Sequence, residues 1–223
     1  MSIKTRALDL SSATAFSRIM EDNDGEFYDA IETITPGDLA SQNRITQFYQ
    51  QFLCKDNKVL DLMAADKSYL PENIPLDITG LGVKKQDLEN NKRLSQGIIY
   101  DVNKCQTLPF NSNTFDMVVC TFAIEYMTSP IELFIDVARI LKSGGHFCIG
   151  FSNRFYQQKA VKIWRDTELL DRPKIVLEYF KKSSQFHQYT FESSGTKTAT
   201  EDMENMNNLV SPSSAFMIKG TKA

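Results

Sequence analysis

The sequence predicts an α/β fold with a doubly wound, Rossmann-like, mostly parallel sheet of seven strands and an antiparallel strand near the C-terminus. Short apolar runs alternate with segments of helical periodicity from residue 58 onward, which is typical of successive βαβ units. Residues 116–122 are almost entirely apolar, as expected of a strand buried on both faces of a parallel sheet. The predicted strands are residues 58–63, 78–83, 97–102, 116–122, 146–152, 186–191 and 215–220.

Apolar residues spaced three and four apart predict the helices. The last two strands are expected to be antiparallel neighbours. The acidic, Asn-rich residues 200–208 predict a mobile loop. The predicted helices are residues 38–53, a crossover segment between the first two strands, and residues 131–141, 157–165 and 174–181.

At 223 residues and 42% hydrophobic content, the chain is long enough for one sizeable core. We expect residues 1–37 to form an appendage or lid helix and residues 38–223 to form the main domain. The first twenty residues contain Lys4, Arg6 and Arg18 with one acid, Asp9, which weakly resembles an organelle presequence. A frayed or packed terminal helix is the preferred interpretation.

Composition argues against several classes of function. A formal net charge of -3 provides no strong positive field for a nucleic-acid partner. No apolar run approaches the roughly 20 residues of a bilayer span, so stable membrane insertion is not expected. The four cysteines form no CxxC pair, and His146 and His187 belong to no metal-ligand pattern. We therefore expect a metal-free cytoplasmic protein, with its oligomeric state left open.

Four segments occur in an order that resembles a known family. They are KVLDLMAAD, ITGLGV, YDVNKCQTLPFNSNTFDMVVC and ARILKSGGHFCIGFSNR, between residues 58 and 154. Together they resemble the sequential motifs of class I S-adenosylmethionine (SAM)-dependent methyltransferases of the type 11 domain. Within that family, the chain is similar to a small methyltransferase-like group with a glycine-poor first loop. The resemblance implies SAM as the cofactor.

The resemblance also implies a cofactor site at the carboxyl ends of the strands. Asp61 would contact the amino-acid end of SAM, directly or through water. Asp101 would accept the adenine amino hydrogen beside the backbone N–H of Val102, and Phe122 would face the sulfonium. The other implied cofactor-binding residues are Met63, Ala64, Ala65, Gly82 and Val83.

The first loop and the end of the second strand depart from the family pattern. Met63, Ala64 and Ala65 stand where a glycine-rich loop is usual, so we expect the loop to be reshaped. Gly82 stands where an acid usually accepts hydrogen bonds from the ribose. Two simpler roles also remain open: closing a turn for Asp61, and capping a turn toward Asn103 for Asp101.

Methyl transfer needs alignment of the nucleophile with the methyl group more than any obligatory catalytic group. Glu125 and Tyr126 are the candidate catalytic residues on the acceptor side. Glu125 is equally suited to capping a turn before Pro130. Arg154 is suited to pairing with an acceptor's carboxylate or phosphate, or to an ordinary solvated loop. The helix that follows Arg154 mixes basic and aromatic residues, and we expect Trp164 to pack inward.

The predicted function is SAM-dependent methyl transfer to a small-molecule acceptor. The alternative is a catalytically inactive module of the same fold that binds a ligand or a partner. A nicotinamide oxidoreductase would need G-x-G-x-x-G after the first strand, which LDLMAADKSY lacks.

Overall fold

The computed structural model describes residues 9–31, 37–105, 107–193, 196–199 and 215–223. Its centre is one eight-stranded sheet of order β3-β2-β1-β4-β5-β8-β6-β7. Chain order reverses between β1 and β4, which creates the topological switch point of a doubly wound sheet. The strands are β1 (Lys58–Leu62), β2 (Asp77–Gly82), β3 (Gln96–Ile99), β4 (Phe115–Thr121), β5 (Leu141–Phe151), β6 (Phe186–Ser193), β7 (Thr196–Ala199) and β8 (Phe216–Lys222).

The pairing confirms the predicted mostly parallel sheet with an antiparallel C-terminal strand. β1 pairs in parallel with β2 and β4, and β2–β3 and β4–β5 are also parallel. β8 inserts between β5 and β6 and is antiparallel to both. The short β7, antiparallel to β6, is one strand more than the seven that were predicted.

The helices differ from the prediction in two places. Residues 157–165 are helical only from Lys162, because the N–H of Val161 is taken by the carbonyl of Glu125 at 2.9 Å. The crossover from β1 to β2 contains no helix, which corrects the expected βαβ unit; Pro71 and Pro75 disfavour one there. The helices are α1 (Asp24–Ala30), α2 (Leu39–Gln50), α3 (Lys85–Asn90), α4 (Pro130–Ile140), α5 (Lys162–Arg165) and α6 (Arg172–Ser183).

Two apolar layers cover the sheet. On one face, α4 and α6 bury an aromatic cluster in which Phe134 lies 4.8 Å from Phe180 and 4.9 Å from Phe147, between ring centroids. On the other face, α2 packs through Ile45 and Phe48, which are fully buried. Both faces of the central strands are therefore dry, as their apolar sequences require. Trp164 is also fully buried. The predicted loop 200–208 and residues 1–8 lie outside the described residues.

Residues 9–31 lie along the segment that follows β5 and are tied to it by backbone hydrogen bonds. The N–H groups of Lys162 and Ile163 donate to the carbonyls of Ser17 and Ala15, both at 2.8 Å. The N–H of Met20 donates to Gln158 at 2.9 Å. These bonds place α1 next to the carboxyl ends of the strands.

A buried ionic cluster holds α1 in this position. The carboxylate of Asp24 accepts from Arg18 at 2.7 and 2.9 Å and from Asn103 at 3.0 Å, and it pairs with Lys159 at 2.8 Å. The Lys159 side chain is fully buried. Although burial opposes ionisation, the hydrogen bonds from Lys159, Asn103 and Arg18 hold the pKa of Asp24 below its usual value. The cluster links α1 to the segments after β3 and β5.

Replacing Asp24 with alanine is expected to destabilise the protein by about 3–5 kcal/mol, because it leaves two buried cations without their shared counterion. The double variant Asp24→Ala with Lys159→Met should recover part of this loss. Urea unfolding followed by circular dichroism measures both.

Glu178→Ala is the matched control, since its pairing with Lys181 on α6 at 3.2 Å is solvent-exposed. We expect this variant to change the free energy of unfolding by less than about 1 kcal/mol. Equal losses in the Asp24 and Glu178 variants would contradict a structural role for the buried cluster.

Candidate functional site

A cleft opens at the carboxyl ends of β1 to β4, at the switch point of the sheet. Its internal volume of about 180 Å³ exceeds by more than ten times the space that one buried water needs. The cleft is therefore large enough for a small-molecule ligand. α1 forms its outer wall through Asp24, Tyr28 and Ile31.

Most of the predicted site residues meet in this cleft. Nine of the eleven line it, and the remaining two, Asp61 and Glu125, lie in the buried interior beside it. The nine are Met63, Ala64, Ala65, Gly82, Val83, Asp101, Val102, Phe122 and Tyr126.

The loop after β1 turns at Met63, which has a φ of +60°. A non-glycine residue in this left-handed region is strained, and such strain is characteristic of functional sites. The loop then returns to β2, where the N–H of Ala64 donates to the carbonyl of Leu81 at 2.8 Å. The positive φ thus falls on methionine, and neither alanine has to adopt it.

Buried polar side chains hold this loop in place. The hydroxyl of Ser68 donates to a carboxyl oxygen of Asp61 at 2.6 Å. The side-chain amide of Asn91 donates to Ser68 at 3.1 Å and to the carbonyl of Ala65 at 2.8 Å. Asp61 therefore supports the loop from behind, and its contact with the cofactor's amino-acid end stays a prediction.

The loop also explains the absence of an acid at the end of β2. A Cβ atom at Gly82 would lie 2.2 Å from the carbonyl oxygen of Ala64, much closer than packed atoms approach. A carboxylate side chain has no room at this position. The reshaped loop after β1 and the absence of an acidic residue at position 82 are therefore two aspects of one structural change.

Gly82→Ala is expected to destabilise the protein by about 3 kcal/mol, because the loop must move away from β2. Chemical denaturation measures the change. Gly144→Ala serves as the control, because Gly144 has a φ of +73° and open space around it. This variant should lose only the free energy that a positive φ costs a non-glycine residue, about 1 kcal/mol. A Gly82 variant as stable as the parent chain would show that the contact with Ala64 does not constrain the loop.

Burial raises the pKa of Asp61 to about 7, although the hydrogen bond from Ser68 opposes the shift. The unfolded carboxyl ionises near pH 4, whereas the folded one stays protonated until about pH 7. The contribution of Asp61 to the free energy of unfolding therefore decreases as pH rises from about 4 to about 7, and it decreases no further above that range.

Asp61→Asn removes that ionisation and keeps an oxygen that accepts from Ser68. The quantity to compare is the free energy of unfolding of the variant minus that of the parent chain. We expect this difference to be more favourable to the variant at pH 8 than at pH 4, by up to roughly 4 kcal/mol. Thermal or urea unfolding at the two pH values tests this. A variant whose relative stability is the same at both pH values would rule out the raised pKa.

Asp101 has the simpler of the two roles proposed for it from the sequence, and its contact with adenine stays a prediction. Its carboxylate accepts from the backbone N–H of Asn103 at 3.0 Å, so the turn interaction is present. Lys104 lies 3.6 Å from the other carboxyl oxygen. Asp101 also lines the cleft beside Val102. A carboxylate has enough lone pairs to hold this turn and still accept from a ligand.

Phe122 is a second strained residue on the cleft wall, with a φ of +55° at the end of β4. Its backbone N–H donates to Gly150 at 2.7 Å. Its ring meets Tyr69 edge-on at 5.0 Å between centroids. Strained backbone therefore follows β1 and β4, the two strands that flank the switch point.

Glu125 and Tyr126, the candidate catalytic residues, occupy a 3-10 turn after β4. Glu125 is buried, and among the described residues no donor reaches its Oε2 atom. Burial raises the pKa of Glu125 to about 7. Burial also raises the pKa of Tyr126 well above 10, so its hydroxyl stays protonated at neutral pH. Tyr126 alone of the two reaches the cleft.

Several lining residues were not identified as site residues from the sequence. Tyr156 was treated as part of an amphipathic helix, yet it lies in the cleft with Arg154. Asp24 and Tyr28 belong to α1, and no local pattern shows where a terminal helix docks. Asp66, Lys67, Tyr69, Lys84, Asp87, Tyr100, Thr121 and Ala123 complete the wall.

The described part of the chain was also considered for metal sites and membrane-spanning helices. No group of three or more His, Cys, Asp or Glu side chains there is arranged to hold a metal ion. None of the helices described has the length and apolar character to cross a bilayer.

The family comparison agrees with this geometry. Residues 64–149 match the model of a methyltransferase domain family, the type 11 methyltransferases. This part of the chain is therefore similar to a methyltransferase domain. The matched region runs from the reshaped first loop to β5 and so contains most of the cleft wall. The predicted resemblance to class I SAM-dependent methyltransferases is confirmed. No curated protein matches the whole sequence at a significant level.

Solved structures share the fold of this chain at low sequence identity. Phosphoethanolamine N-methyltransferase 2 of Haemonchus contortus, bound to phosphomonomethylethanolamine and S-adenosylhomocysteine (SAH), has a TM-score of 0.59 at 15% identity. The match covers 88% of this chain and 56% of that one. A SAM-dependent methyltransferase of Thermotoga maritima has a TM-score of 0.57 at 15% identity, with 83% and 92% covered.

A third structure with this fold is a complex that contains the Trm112 methyltransferase activator of Haloferax volcanii. Its TM-score is 0.55 at 16% identity, and the match covers 81% of this chain and 90% of that one. At such identities the comparisons establish a common fold, and substrates do not follow from fold alone.

Proposed function

We propose that the protein transfers a methyl group from SAM to a small-molecule acceptor. The observation that carries this proposal is the convergence of the predicted cofactor residues on one open cleft at the switch point. The match to a methyltransferase domain over residues 64–149 supports it. The proposal places the protein in the cytoplasm, where free thiols such as Cys54 and Cys105 stay reduced.

In this proposal the adenine lies beside the segment after β3. Asp101 accepts from the adenine amino group, and the backbone N–H of Val102 donates to the ring. An acid next to a backbone donor recognises an adenine edge specifically. The loop Met63, Ala64 and Ala65 approaches the ribose and methionine portions, and Phe122 faces the sulfonium.

SAM, when bound, supplies an electrophilic methyl group on a sulfonium. The protein then has to hold the acceptor in line with that methyl group and keep water out. The 3-10 turn after β4 lies on the acceptor side, with Tyr126 on the cleft wall and Glu125 behind it. We propose that residues 18–31 act as the lid that closes this side, held by the Asp24 cluster.

The departures in the first loop favour a second candidate function, a methyltransferase fold that binds a ligand or partner without catalysis. The contact of Ala64 with Gly82 removes the ribose acid, and the crossover after β1 has no helix whose N-terminus would face the ligand. Titration with SAM by calorimetry separates the two functions, followed by measurement of SAH formation with candidate acceptors.

Asp101→Ala is expected to weaken SAM binding by about 1–3 kcal/mol, because the adenine amino group loses its acceptor. Isothermal titration calorimetry measures the dissociation constant. Asp101→Asn keeps an oxygen acceptor and should lose less.

The control is Asp77→Ala, because Asp77 begins β2 at the opposite edge of the sheet. Its affinity for SAM should equal that of the parent chain. If the parent chain shows no binding at millimolar SAM, methyl transfer is excluded and the non-catalytic function is favoured. Binding that is insensitive to Asp101 would remove this residue from the adenine site.

A further inference from the structure

Three tyrosine rings from separate segments meet on the acceptor side of the cleft. Tyr28 comes from α1, Tyr126 from the turn after β4 and Tyr156 from the segment after β5, and all three line the cleft. Their centroids are 5.8 Å apart for Tyr28–Tyr156 and 6.3 Å apart for the other two pairs. We call this group the tyrosine corner.

The rings are inclined to one another, so they present differently oriented faces. The interplanar angles are 69° for Tyr28–Tyr126, 72° for Tyr28–Tyr156 and 41° for Tyr126–Tyr156. The backbone N–H of Tyr156 donates to the hydroxyl of Tyr126 at 3.0 Å, which fixes these two residues relative to each other. The third ring is held by α1 and its buried ionic cluster.

The charges around the tyrosine corner favour a cation. The carboxylate of Glu125 is buried directly behind it, and its Oε2 atom has no hydrogen-bond donor in the described part of the chain. The Arg172 guanidinium acts on Glu125 from a distance, but it stacks over the rings of Phe155 and Trp164. Burial raises the pKa of the Tyr28 hydroxyl, and the negative charges of Asp24 and Glu125 add to this shift while Arg18 opposes it.

The cations of the α1 cluster are already paired, and Arg154, which also lines the cleft, interacts with the carboxylate of Asp38. Arg18 pairs with both Asp24 and Glu21, and Lys159 pairs with Asp24, so two positive charges are matched by two carboxylates. Glu125 is outside this compensated cluster. A positively charged group at the ring faces would therefore gain from the ring quadrupoles, and it would favour the ionised form of Glu125, whose pKa burial raises to about 7.

We propose that the tyrosine corner is the acceptor subsite and that it recognises the ammonium or quaternary ammonium group of a small molecule, whose methyl-accepting atom is a separate nucleophile with a free lone pair. This rests on the proposed function, since it names the class of acceptor for the same cleft. Aromatic rings beside a carboxylate are a general device for binding such cations.

Choline is a suitable probe, and 3,3-dimethyl-1-butanol is its uncharged isostere. We expect choline to bind the full-length protein, as measured by NMR titration, and the isostere to bind about 2- to 30-fold more weakly or not at all. Tyr156→Leu should weaken choline binding within the same range, whereas Tyr156→Phe should keep it within about 2-fold.

Tyr189→Leu is the matched control. Tyr189 lies on β6, is not among the cleft-lining residues, and packs against Phe180 with 5.8 Å between ring centroids. This variant should bind choline as the parent chain does. The Phe and Leu variants of Tyr156 are compared at equal folded fractions, so a loss of fold in one cannot be mistaken for a loss of binding.

Two outcomes would overturn the proposal: equal binding of choline and its isostere, or displacement of SAH by choline. The second would place the tyrosine corner inside the cofactor's own region. The proposed function fails separately, through absence of SAM and SAH binding. Because the choline titration is run both without and with SAH, the two failures are distinguishable.

Discussion

The close contact between the loop after β1 and the end of β2 sets the shape of the whole site. The carbonyl of Ala64 lies where a side chain at Gly82 would begin. The loop cannot retreat, because Asp61, Ser68 and Asn91 hold it from behind through buried hydrogen bonds. A glycine-rich loop is conformationally free because glycine adopts a positive φ without steric cost. Here a single strained residue, Met63, and a polar network produce a fixed loop with small side chains.

Because of this contact, the polar groups and the outer wall of the cleft come from other segments of the chain. With no side chain available at the end of β2, the proposed polar recognition of a ligand would rest on Asp101, which lines the cleft. The outer wall depends on α1, which is positioned by backbone hydrogen bonds to the segment after β5 and by the carboxylate of Asp24, shared between two buried cations. The wall that Tyr28 forms therefore exists only while α1 is docked.

The sequence was sufficient to predict the sheet, because alternating apolar runs and helical periodicity carry that information locally. The seven strands, their mostly parallel pairing and the antiparallel C-terminal strand are confirmed. The crossover helix and the N-terminal half of the helix at 157–165 were predicted wrongly. The second error arises from an interaction that is not local, since Val161 donates to Glu125, whereas Pro71 and Pro75 already disfavour a crossover helix locally.

The site was predictable where residues follow a strand end and unpredictable where distant segments meet. Met63, Asp101 and Phe122 follow strands, so sheet topology alone brings them together. Tyr28 reaches the cleft through a buried ionic cluster, and pairing over such sequence distances leaves no local pattern. The burial of Asp61 and Glu125 could not be predicted from the sequence either, because it depends on how tightly neighbouring loops pack over them.

The most direct test of this account is a crystal structure of the protein with SAH. The account predicts the adenine beside Asp101 and Val102, the ribose against the loop that contains Ala64, and the sulfur facing Phe122, with α1 still docked. A structure in which SAH occupies another surface, or in which the loop must leave Gly82 to admit it, would contradict the account.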